Sequence, residues 1–146
     1  QVTRLLLELG NGFAFIGRQL HLEVGGEDFY LDMLFYHTRL HCYVVVDLKQ
    51  GAFKPEYAGK MNFYLSAVDD QMRQPEDQPT IGLLLCRTRN RLIAEYALRD
   101  VQKPIGIAAW RTRFTRALPK SLRLSLPAVD TIEQELNAVV RRGEKE

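Results

Sequence analysis

Residues 28–49 read DFYLDMLFYHTRLHCYVVVDLK, and the way this stretch folds back on itself decides the architecture. Asp28–Thr38 is rich in aromatic and aliphatic residues, Arg39-Leu40 interrupts it, and His41–Lys49 follows with an apolar Tyr43–Val46 centre. Both halves read as strands, the second as one buried inside a sheet. If Arg39-Leu40 is a two-residue turn, Asp32 falls directly opposite Asp47. Opposed side chains in an antiparallel pair have Cβ atoms about 4.5–5.5 Å apart, and like charges placed there repel. A register shift of two keeps the aspartates on one face as diagonal neighbours, whereas a shift of one parts them. Lys49 stands two residues after Asp47 and so shares its face. A divalent, oxygen-seeking cation relieves such a carboxylate pair, since Mg²⁺ is commonly held by one or two carboxylates plus waters and substrate phosphates. A lysine beside it can orient or help deprotonate an attacking water, or stabilise charge in the transition state. Acid-x-Lys alone is common at solvated strand ends. The conjunction with Asp32 at the matching hairpin offset favours chemistry. Glu8, at the end of the first predicted helix, is the candidate for a third carboxylate on the same ion.

Before the hairpin, Val2–Leu9 reads as a helix stopped at Gly10-Asn11-Gly12. Phe13–Val24 alternates apolar and polar residues, a strand interrupted near Gly17, and Gly25-Gly26 is a turn signal. Beyond the hairpin, Pro55 opens a helix that runs to about Met72, where the breaker cluster Gln74–Pro79 follows. Thr80–Cys86 is a wholly apolar strand, Asn90–Arg99 a helix and Ile105–Trp110 a fifth strand. Arg111–Leu126 is a loop without an acidic residue, and Val129–Arg142 is an amphipathic closing helix. Such alternation predicts an α/β fold, a mixed sheet flanked by helices, with residues 1–146 as a single domain.

The 146 residues are 46% hydrophobic and 26% charged, too apolar for a disordered tail. No apolar run approaches the ~20 residues of a membrane helix, and the N-terminus lacks a signal-peptide pattern. Cys42 and Cys86 lie inside apolar runs and read as buried reduced thiols, so the chain is expected to be cytoplasmic. His21, His37 and His41 lack the spacing of a zinc site. Glu56 and Lys60 are an ordinary helix ion-pair spacing, with Glu56 also within reach of the carboxylates, and Tyr64 reads as core. The net charge of +2 names no partner, but its distribution is uneven. Arg87, Arg89 and Arg91 follow the fourth strand, and Arg111, Arg113, Arg116, Lys120 and Arg123 populate the acid-free loop. Basic runs are ordinarily solvated faces; beside a phosphate-cleaving site they become phosphate contacts. The chain opens at Gln1 inside a predicted helix, which suggests a domain of a longer protein.

The spacing of Asp32 to Asp47-Leu48-Lys49 resembles the PD-(D/E)XK nuclease superfamily. The stretches 6–19 (LLELGNGFAFIGRQ), 26–37 (GEDFYLDMLFYH), 53–70, 80–86 and 95–99 resemble one branch, the YhcG-like nuclease domain, from about Leu6 to about Leu136. The resemblance implies a restriction-endonuclease-like α-β-β-β-α-β core with Asp32, Asp47 and Lys49 in catalytic positions. It further implies Glu8 as the helix carboxylate of the metal site, Mg²⁺ as cofactor with Mn²⁺ able to substitute, DNA as substrate and a preceding N-terminal domain. Leu31 replaces the proline of the first motif, and Lys60 and Tyr64 stand where related exonucleases carry Gln-x-x-x-Tyr. Lys60, Arg87, Arg89, Arg111 and Arg113 are the candidate nucleic-acid contacts. The expectation is thus a metal-dependent DNA nuclease. The alternative is a catalytically lapsed nucleic-acid-binding module of the same fold, and a homodimer through Val129–Arg142 is compatible with either.

Overall fold

The structure is a computed structural model that describes residues 12–109. The helices predicted at either end of the chain, the basic loop, Glu8, Arg111 and Arg113 lie outside the described residues.

Five strands form one sheet in sequence order: β1 (Phe13–Val24), β2 (Glu27–His37), β3 (Cys42–Leu48), β4 (Ile81–Cys86) and β5 (Ile105–Ala109). β1–β2 and β2–β3 are antiparallel, whereas β3–β4 and β4–β5 are parallel. A parallel neighbour needs a crossover connection. Helix α1 (Pro55–Gln71) carries the chain from β3 to β4, and α2 (Arg91–Leu98) from β4 to β5. Proline at the first helical position starts α1. Asn90 caps α2, its side chain accepting from the N–H groups of Leu92 and Ile93. The sequence places Asn90 inside that helix; its short polar side chain instead takes the cap.

Gly25-Gly26 joins β1 to β2 with both φ angles positive (60° and 81°), the two-residue turn whose twist matches the strands it connects. The β2–β3 connection departs from expectation. It spans Thr38–His41, not two residues, and His41 takes a left-handed φ of 54° while its N–H bonds to the His37 carbonyl at 2.8 Å. The buried His37 ring accepts from Leu40 N–H at 3.1 Å and holds the loop closed. The register is nevertheless the expected one, from His37↔Cys42 to Met33↔Val46.

Buried residues divide into two clusters, one on each face of the sheet. Val45, Leu84, Ile105 and Ile107 pack with Ala58, Met61, Leu65 and Val68 of α1 and Ala94 of α2. Phe35, Val44, Val46, Leu83 and Leu85 occupy the other face. Gly82 lets α1 approach the sheet, because a Cβ there would stand 2.7 Å from Met61 Cγ and Sδ.

β2 changes face along its length. Met33 and Phe35 belong to the second face, but Leu31 and the partly buried Phe29 join the α1 cluster. The outer half of the β1–β2 hairpin accordingly folds onto α1. Phe29 packs on Phe63 with ring centroids 4.8 Å apart, and Gln71 Nε2 donates to the Glu23 carbonyl at 2.8 Å. The change of face falls at Asp32, opposite Gln19, a non-glycine residue with φ 46°.

Candidate active site

β3 runs apolar to Val46 and then presents Asp47 and, two residues on, Lys49 at its carboxyl end. Asp47 is 7% exposed. Lys49 Nζ lies 3.3 Å from Asp47 Oδ2, and the backbone N–H of Lys49 donates to the Leu85 carbonyl of β4 at 2.8 Å. From β2, Asp32 Oδ2 accepts from Leu48 N–H at 3.2 Å, and its side chain is hydrogen-bonded to Asp47. The three residues expected together from the hairpin count are together.

Burial first, then the hydrogen bond and charge of Asp32, push the Asp47 carboxyl up to about 6, with Lys49 opposing. Burial also works to raise Asp32, but hydrogen bonds from Asp47, the Leu48 N–H and Gln19, with the charge of Lys49, hold it below the usual carboxylate range. Two carboxylates this close ionise in turn, with Asp47 the one that keeps the proton to higher pH. The oxygen-only donor set is of the kind that would hold a hard divalent cation, in place of that shared proton. Among the described residues no group of three or more His, Cys, Asp or Glu side chains is placed to hold a metal, so the side-chain carboxylates gathered here are Asp32 and Asp47.

Two further residues complete the site, and the sequence had not assigned either a role. Tyr57, in the first turns of α1, lies beneath Lys49 with Nζ 4.7 Å from the ring centroid. Gln19 Nε2 donates to Asp32 Oδ1 at 3.0 Å. A signal for Gln19 existed: counting back from the Gly25-Gly26 turn sets it opposite Asp32 by the same arithmetic that pairs Asp32 with Asp47.

The other candidates distribute around this centre. Arg87 is exposed just beyond β4, its N–H donating to the Gly51 carbonyl at 2.9 Å, so it flanks the loop that follows Lys49. Arg89 is half-buried and engaged by neighbours. Lys60 is exposed on α1 with Nζ 5.7 Å from the Tyr64 ring, Tyr64 is core, and Glu56 is exposed. Both cysteines are buried, and burial pushes each thiol up to about 11. A separate cavity of about 1140 Å³ opens at the other end of the sheet, between Leu40, Cys42, Asp69, Arg73 and Lys103, and shares no residue with the carboxylates. Among the described residues no helix is long and apolar enough to cross a membrane.

Known proteins share the fold and, in part, the sequence. The fold is shared with a repair endonuclease from Pyrococcus abyssi (TM-score 0.51, 15% identity, 71% of this chain and 43% of that one). It is shared also with EndoMS in a complex with double-stranded DNA (TM-score 0.53, 15% identity, 77% and 44%). In sequence the chain is 38% identical over 126 residues to a protein of Escherichia coli (strain K12) named "Putative nuclease YhcG", covering 86% of this chain and 32% of that protein. The chain therefore spans about a third of the length of that relative. The family model of the YhcG PDDEXK nuclease domain matches residues 1–127, and the chain belongs to that family.

Proposed function

We propose that this domain is a divalent-metal-dependent nuclease that hydrolyses phosphodiester bonds in DNA. The observation that carries the reading is the facing pair Asp32 and Asp47 with Lys49 Nζ 3.3 Å from Asp47 Oδ2, at the open end of a buried strand. Asp32 and Asp47 would hold Mg²⁺ or Mn²⁺, with Glu8 as the third carboxylate that the family resemblance implies. A bound ion of this kind lowers the pKa of a coordinated water and draws charge from a phosphoryl oxygen. Lys49, steadied between Asp47 and the Tyr57 ring, directs its ammonium at the attacking water and at the charge that grows on the phosphate. Arg87 and Arg89 beside this edge, with Arg111 and Arg113 and with Lys60 on α1, would take the flanking phosphates. The reading includes a cytoplasmic setting, a further domain in the full-length protein, and a homodimer formed through Val129–Arg142.

A panel of labelled linear, circular, branched and RNA substrates with Mg²⁺, Mn²⁺ or EDTA tests the proposal. Asp32→Ala and Lys49→Ala are expected to keep the wild-type circular-dichroism spectrum and lose cleavage. Normal cutting by either variant, or cutting that persists in EDTA, would sink it. DNA binding without cleavage by the wild type would favour the lapsed binding module instead.

A further inference from the structure

Inside β1 one residue is left-handed although it is not glycine: Gln19, with φ 46°. Such a backbone is strained for a residue with a Cβ and marks sites where something else fixes the conformation. Packing does not account for the glutamine, since its side chain is exposed. Nor does the change of face in the hairpin, which glycine would serve with less strain.

Its side-chain hydrogen bond does account for it. The ladder pairs Arg18↔Met33 and Leu20↔Leu31 bracket Gln19 and Asp32, and the amide Nε2 donates to Asp32 Oδ1 at 3.0 Å. Asp32 Oδ2 accepts from Leu48 N–H at 3.2 Å. With a donor on each oxygen, the carboxylate plane is fixed about both of its torsions, and the remaining lone pairs serve Asp47 and a further partner. Without the Gln19 donor, Oδ1 would be free to turn further towards Asp47, to which the carboxyl is already hydrogen-bonded, or towards Lys49.

We propose that Gln19 is a positioning residue for Asp32, its strained backbone aiming an amide donor that holds the carboxylate in the orientation that accepts a divalent cation. The proposal rests on the metal-site reading above and extends it to a residue outside the acid-acid-lysine set. Groups that orient a metal ligand are worth about 10–100-fold in metal affinity when removed.

Two variants of the 146-residue chain test it. Gln19→Gly removes the donor and relieves the backbone, while Gln19→Met keeps size and strain but removes the donor. Titration calorimetry with Ca²⁺ reads binding without turnover, melting curves read the fold, and cleavage is followed across Mg²⁺ concentrations. Gln19→Gly should melt at or above the wild-type temperature and bind Ca²⁺ about tenfold more weakly. Its half-saturating Mg²⁺ concentration should rise by the same factor, with most of the rate recovered at saturation. Gln19→Met should lose the same affinity without the gain in melting temperature. Wild-type Ca²⁺ affinity in both variants overturns the positioning role while leaving the metal reading intact. Weaker binding that only tracks a lower melting temperature in both variants overturns it as well. A wild-type protein that cuts DNA but binds no cation overturns the metal reading, and this proposal with it.

Discussion

Asp47 shows how the site opposes the stability of its own fold. Its carboxyl is pushed up to about 6 by burial and by Asp32, against about 3.9 for a free aspartate. The folded, metal-free protein therefore binds more protons than the unfolded chain between those values, and stability falls as pH rises through them. Above about pH 6 the full cost is present, and below about pH 4 it is gone. Asp47→Asn should stabilise the metal-free protein by about 1–2 kcal/mol at pH 8, after allowance for solvent screening, and by little at pH 4. It should also abolish cleavage; denaturant melts at the two pH values and a cleavage assay check both. At this scale the sequence was informative where turn arithmetic applies. The count across Arg39-Leu40 puts Asp32 opposite Asp47 even though the loop is twice as long as expected, because lengthening a hairpin loop by one residue on each side leaves the pairing unchanged. Tyr57 was not legible as a partner of Lys49, since that contact depends on the rotation of α1 against the sheet. No local pattern fixes that rotation.

Among the elements, α1 is set by one missing side chain. Gly82 lies under Met61, itself 1% exposed, so a methyl group at 82 meets sulfur and carbon at 2.7 Å and a buried side chain or the helix must shift. Gly82→Ala should lift α1, cost about 1–3 kcal/mol and, by moving Tyr57 from under Lys49, lower the cleavage rate as well. A melting curve beside a rate measurement checks this; an unchanged melting temperature would contradict it. The five strands and both helices of the described region were visible as periodic or apolar runs bounded by glycine and proline. The fold of the outer β1–β2 hairpin onto α1 was not. It depends on tertiary contacts such as Phe29 with Phe63 and Gln71 with Glu23, whose partners are distant in sequence.

For the whole molecule, a net charge of +2 conceals a carboxylate centre beside arginines at the end of β4. If these bind phosphate, affinity for DNA should fall steeply with salt. Arg87→Ala should then weaken binding of every sequence alike and reduce the log–log salt slope by about 1. Binding isotherms at several salt concentrations, in Ca²⁺ to prevent cutting, decide the point. The architecture has a kinetic side too. Asp32 and Asp47 face each other across a local hairpin, an element that zips in about 1–10 μs, while β3–β4 pairing must wait for the crossover through α1. The two charges therefore meet early, before the rest of the sheet surrounds them, and their repulsion weighs on the forward folding rate. Refolding of the metal-free chain should be faster at pH 5 than at pH 8, with Ca²⁺ closing the gap; stopped-flow traces with equal rates would contradict it. A cation held at this site would then act as a folding partner of the nascent hairpin before any substrate arrives.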